Sequence, residues 1–186
     1  FPTRRSSDLA KAQVEAKAQE LENGRVQLEA GRAELESGKA ELEQNRQTVT
    51  AARQELEAKR ADYETAKTAL QQIEAQLGEL QQQLTQTEEQ IRQMEEALAD
   101  AGLDTSPEYE ALLAVKTQLE TTIAGLQTQK ETVQAGITEF EAGEKSVQDG
   151  EAQLAAAEQQ IAQSEQQLNA TEEVLKEGEV QLEAAR

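Results

Sequence analysis

Leu28-Glu29-Ala30-Gly31-Arg32-Ala33-Glu34-Leu35-Glu36-Ser37-Gly38-Lys39-Ala40-Glu41-Leu42 carries the pattern that decides the fold. Leu28, Leu35 and Leu42 recur every seven residues, and Gly31 and Gly38 each follow a leucine by three. Apolar residues at the first and fourth places (a and d) of a heptad form the seam of a supercoiled α-helix. Read outward, the a row is Val14, Leu21, Leu28, Leu35, Leu42, Val49, Leu56, Tyr63, Leu70, Leu77, Leu84, Ile91 and Leu98. After one break it restarts at Leu112 and runs through Leu119, Leu126, Val133, Phe140, Val147, Leu154, Ile161, Leu168, Leu175 and Leu182. A strict repeat of seven held this long predicts an all-α fold of two long helices, each needing a partner along its length.

The break reads as a stop followed by a start. Gly102 suits the left-handed residue just past a helix end, and Leu103 is placed to fold back over the last turn. Ser106 reads as an N-cap with Pro107 at the first helical position, where a missing N–H costs nothing. Thr105 with Glu108 forms an alternative capping box. So short a link predicts an antiparallel hairpin.

Seam chemistry supports the hairpin. Position d is mostly small: Gly24, Gly31, Gly38 and Ala52 in the first helix, and Gly136, Gly143, Gly150, Ala157, Ser164, Thr171, Gly178 and Ala185 in the second. Folding the chain so that paired residue numbers add to 206 sets Leu28 against Gly178, Leu56 against Gly150, Gly24 against Leu182, Tyr63 against Gly143 and Phe140 against Ala66. A register adding to 213 keeps the same large-on-small alternation. Glycine costs about 1 kcal/mol relative to Ala inside a helix. Burying the opposed leucine returns roughly 1.5–3 kcal/mol, so a close-packed seam offsets the cost. Nearer the break the layers become large on large, as in Ile73 with Val133, which predicts a wider, stiffer segment there.

The e row decides orientation. In the first helix it is Arg25, Arg32, Lys39, Arg46, Arg53, Arg60 and Lys67; in the second it is Glu144, Glu151, Glu158, Glu165, Glu172 and Glu179. Antiparallel pairing sets Arg25 against Glu179, Arg32 against Glu172 and Arg60 against Glu144. A parallel homodimer of the second helix would leave its glutamate row facing Gln and Ser, so only the hairpin gives that row a basic partner. Asn45 and Lys59 interrupt the d row, either pinning the register or reaching past the seam into water.

Composition fits a solvated helical pair whose main partner is its own second helix. Aromatics are 2% and Trp is absent, which argues against a globular core. With no Cys and no His, thiol chemistry, His-based catalysis and soft-metal sites are not expected, nor is any cofactor. The net charge of −19 argues against nucleic-acid binding through the helices. No stretch approaches the roughly 18 apolar residues of a membrane span. The segment whose polarity the heptad does not explain is the tip, so Gly102, Leu103, Asp104, Thr105, Ser106, Pro107 and Tyr109 are the candidate partner contacts. Catalytic and metal-ligating residues are not expected, and the isolated chain is expected to be a monomeric hairpin.

Two resemblances complete the reading. Residues 1–9, Phe1-Pro2-Thr3-Arg4-Arg5-Ser6-Ser7-Asp8-Leu9, resemble a translated sequencing adapter, which predicts a frayed or disordered artefact there and a true N-terminus lying elsewhere, while the heptad stops mid-pattern at Arg186 and leaves the true C-terminus open. The remaining organisation is 10–101 as the first helix, 102–106 as the turn and 107–186 as the second helix. The run Leu28 to Leu42, with Leu21-Glu22-Asn23-Gly24 and Phe140-Glu141-Ala142-Gly143, resembles the extracytoplasmic coiled-coil insertion of bacterial FtsX-like ABC transporter permeases. That resemblance implies a lever outside the cell membrane, coupled to a transmembrane permease region and a cytoplasmic ATPase. The YhgE/Pip type of membrane protein uses similar glycine-punctuated heptads. Hairpins of periplasmic adaptors, arms of chromosome-maintenance ATPases and generic structural coiled coils are further alternatives.

Overall fold

A computed structural model describes the backbone of residues 2–185 and the side chains of residues 8–185. Two helices make up the fold: α1, Pro2–Ala101, and α2, Pro107–Ala184. They pack against each other as an all-α helical hairpin. The expected link 102–106 lies between them. α1 starts ahead of residue 10, where the heptad places its beginning. Pro2 suits a first helical position, and residues 3–9 contain neither Gly nor Pro to break the helix. Phe1 and Arg186 lie outside the described residues.

The chain forms two compact units. The first, the open-end unit, comprises Phe1–Ala52 and Val147–Arg186. Here residues of α1 in ascending order meet residues of α2 in descending order, so the helices are antiparallel. A methyl group placed on Gly24 would lie 2.5 Å from Leu175 Cδ2, on Gly31 2.7 Å from Leu168 Cδ2, and on Gly178 2.6 Å from Leu21 Cδ2. Gly150 approaches Val49 in the same way, at 2.9 Å. Large therefore meets small, as the heptad predicts, but in a different register. Gly178 meets Leu21 and not Leu28, and Gly24 meets Leu175 and not Leu182. These pairs add to 199, which corrects both 206 and 213.

The second, the tip unit, is Arg53–Ser146. Among the described residues it holds most of the core: Leu77, Ile91, Leu98, Ile123, Ile137 and Phe140 are buried here, against Leu28 in the open-end unit. Gly143 meets Leu56, again one heptad from the sequence-based pairing of Leu56 with Gly150. Leu56, and not Tyr63, stands nearest to a methyl group placed on Gly143. The rings of Tyr63 and Phe140 stack on each other, 4.3 Å apart at their centroids and 18° from parallel. Between residues 112 and 140 the seam of α2 is built from a and e, not a and d. Lys116, Ile123, Lys130 and Ile137 are buried or half-buried, while Val115, Thr122, Gln129 and Gly136 are exposed. Isoleucine at e explains the turn of the seam, because a-to-e spacing of four followed by three still makes one apolar stripe.

The turn accounts for the register. Tyr109 Oη donates to Glu95 Oε1 at 2.8 Å. α1 runs six residues past Glu95 to Ala101, whereas α2 begins only two residues before Tyr109. α1 thus overshoots the start of α2 and the link doubles back, while a register of 206 assumes level helix ends.

Candidate functional site

The tip is built by two local motifs that the sequence encodes. Gly102 has φ of 71°, the left-handed conformation that favours glycine. Its N–H donates to Ala99 O at 3.1 Å and Leu103 N–H to Leu98 O at 2.9 Å, which together make a Schellman motif. Ser106 starts α2: its Oγ accepts from Tyr109 N–H at 3.2 Å and its carbonyl from Glu110 N–H at 3.0 Å. Thr105 does not form the alternative capping box; its hydroxyl donates to Glu110 Oε1 instead. The Leu103 side chain does not pack over the last turn of α1, being 57% exposed.

Of the candidate tip residues, Gly102, Leu103, Asp104, Thr105 and Pro107 are exposed, whereas Ser106 and Tyr109 are half-buried and engaged in structure. The hydrogen bond to Glu95, and then burial, raise the Tyr109 hydroxyl above its ordinary pKa. Leu113 and Val115, also exposed, lie in the first turns of α2. The tip therefore offers apolar side chains among Asp100, Asp104 and Glu108.

Along the flanks the chain presents an ion-pair ladder. In the open-end unit Arg25 pairs with Glu179 at 2.7 Å, Arg32 with Glu172 at 2.5 Å and Lys39 with Glu165 at 2.6 Å, and Arg46 pairs with Glu158. In the tip unit Arg60 pairs with Glu144 at 2.7 Å. The three pairings read from the e rows are all present. The hydrogen bond to Glu165 raises the Lys39 ammonium pKa, and the Lys176 hydrogen bond, followed by the Arg32 charge, lowers that of the Glu172 carboxyl. Of the polar d residues, Asn45 and Lys59 are both exposed, and Lys59 turns to Glu55 at 2.7 Å, so it reaches past the seam into water.

Sequence reading missed the ladder's second half. Nearer the tip its polarity inverts: Glu88 of α1 pairs with Lys116 of α2 at 3.0 Å, and Glu74 with Lys130 at 2.9 Å. Ile123 and Ile137 alternate with those lysines and are buried. The signal was present as Lys116, Ile123, Lys130 and Ile137 at seven-residue spacing in the e row.

The open-end unit also has a shallow groove of about 560 Å³, lined by Gly31, Leu35, Gly38, Ile161, Ser164 and Leu168 among others. A methyl group placed on Gly38 would meet nothing within 4 Å. Glu34, Glu41, Gln160 and Gln167 border the groove, so the flank opposite the ladder brings acids beside amides. Among the described residues no cluster of three or more His, Cys, Asp or Glu is placed to hold a metal, and no helix is long and apolar enough to cross a membrane.

Fold and surface together define the class: an antiparallel helical hairpin with a glycine-rich seam. Comparisons with protein-family models, curated proteins and solved structures give no match.

Proposed function

We propose that this chain is a non-catalytic mechanical arm, the extracytoplasmic lever or partner-binding hairpin of an ABC-type membrane permease. The observation that carries the reading is the seam, where leucine of one helix lies against glycine of the other at Leu21–Gly178, Leu175–Gly24 and Leu168–Gly31. Helices that approach so closely, with a rung of opposite charge every heptad from Arg25 to Arg46, suit the transmission of force along their length. The repeat style around Leu28 to Leu42 supports the permease family, and the exposed tip residues Leu103, Asp104 and Thr105 supply the partner contact. The extracytoplasmic side of a cell membrane follows from that resemblance alone, and the net charge of −19 argues against a nucleic-acid partner.

The test is to sequence the source locus outward from both ends. Apolar spans of about twenty residues on either side, with a neighbouring ATPase gene, are the expected result. Membrane spans without an ATPase would transfer the hairpin to the YhgE/Pip type. Soluble flanks carrying lipoyl-like or split nucleotide-binding halves would overturn the permease reading.

A further inference from the structure

The two units differ in how strictly each defines its own register. Rungs in the open-end unit are chemically alike, a base on α1 and a glutamate on α2. Displaced by one heptad, Arg32 would meet Glu179, Lys39 would meet Glu172 and Arg46 would meet Glu165; only Arg25 loses its glutamate. Large still meets small, with Leu28 against Gly178, Leu42 against Ser164 and Leu175 against Gly31. The same displacement brings Leu168 to Gly38, where space now stands unfilled.

The tip unit is not repetitive in this way. Its inverted pairs, Glu88–Lys116 and Glu74–Lys130, alternate with buried Ile123 and Ile137. Displaced by seven residues, Ile137 would meet Glu74 and Ile123 would meet Glu88. The Glu74–Lys130 pair and the Tyr63–Phe140 stack would be lost, Lys116 would exchange Glu88 for Glu95, and Glu74 and Glu88 would face apolar side chains. The turn sets the direction of any displacement. α1 already overshoots α2, so sliding α2 tipward levels the helix ends, whereas the opposite slide adds about 10 Å to the overhang.

We propose that the hairpin is a two-register device. The open-end unit is built to be stable both in the observed register and in one a heptad tipward. The Glu74–Lys130, Glu88–Lys116 and Tyr63–Phe140 contacts of the tip unit select between them. Loosening those contacts releases a slide of about 10 Å, one heptad at 1.5 Å per residue. This inference stands apart from the permease reading, since it concerns the hairpin alone.

The absence of native cysteine allows a direct test in the full chain. The pair Leu21→Cys with Gly178→Cys reports the observed register, and Leu28→Cys with Gly178→Cys reports the displaced one. Each is oxidised mildly with the native tip and with Lys116→Glu/Lys130→Glu. With the native tip the first pair should close at least about tenfold faster, and the reversed tip should shift that ratio at least about tenfold toward the second. If the reversed tip loses helicity, Lys116→Gln/Lys130→Gln replaces it, with a shift of about threefold expected. An unchanged ratio in a helical variant overturns the proposal, as does equal closure of both pairs with the native tip.

Discussion

Leu21 fills the space that a side chain on residue 178 would need: its Cδ2 stands 2.6 Å from the position of a methyl group on Gly178. Gly38, in the same seam, has nothing within 4 Å of that position. Both glycines carry the same helix-propensity cost, so alanine distinguishes contact from conformation. Gly38→Ala should stabilise the hairpin by about 1 kcal/mol. Gly178→Ala should give clearly less, or destabilise, because the Leu21 side chain must rotate away. Urea unfolding midpoints at unchanged m-value check this, and equal gains would mean that the seam at Gly178 is not close-packed.

Phe140 is 7% exposed and stacked on Tyr63. Phe140→Ala should cost about 3 kcal/mol, the usual loss for a buried ring. Val26→Ala, at a 59% exposed site, should cost little. Comparable losses at the two sites would remove Phe140 from the core.

Inverted polarity in the tip unit makes a charge swap informative. Lys116→Glu should lower the urea midpoint by opposing Glu88, and Lys116→Glu with Glu88→Lys should recover most of the loss. The single variant's deficit should shrink in high salt, because the pair is partly exposed. A double variant no better than the single would show that the two side chains do not interact.

Glu172 accepts from Lys176 and pairs with Arg32, and both partners lower its pKa below the ordinary value of 4.5. A carboxyl whose pKa is depressed by folding stabilises the fold above its ordinary pKa and loses that contribution as pH falls through the folded value. Glu172→Gln should therefore be less stable than the parent chain at pH 7, and the gap should close as pH falls through the lowered carboxyl pKa. A gap independent of pH would assign the effect to packing and not to charge.

At the tip, Gly102→Ala should destabilise by about 1 kcal/mol, since alanine resists the left-handed backbone. Ser106→Ala should cost a similar amount, about 1 kcal/mol, through loss of the N-cap to Tyr109. Amide exchange at Gly102 and Leu103 should quicken in the first variant and at Tyr109 in the second. Exchange unchanged at those amides would remove the two motifs from the turn.

Sequence periodicity sufficed for the seam in most places. Every a residue from Val14 to Leu98 and from Leu112 to Leu182 is buried or half-buried. The turn was equally legible, because Gly102 and Ser106 act on their own neighbours within a few residues. The a/e seam of residues 112–140 was visible only to a reader who weighed Ile123 and Ile137 against the d row. The stack of Tyr63 on Phe140 was not visible, because ring meets ring only once the register is known.

Local and repeating features were thus determined by the sequence alone: two helices, their apolar faces, the turn motifs and an antiparallel sense set by rows of opposite charge. Tertiary structure decided the register, and the reason is geometric. Helix side chains lean toward their own N-terminus, and in an antiparallel pair those leans are opposed. Long side chains such as Arg25 and Glu179 therefore meet at residue numbers adding to 204, while Leu21 and backbone-bare Gly178 meet at 199. A heptad cannot distinguish one repeat from the next. That choice fell to the overshoot of α1 past Tyr109, to the inverted pairs of the tip and to one aromatic stack, none of which repeats.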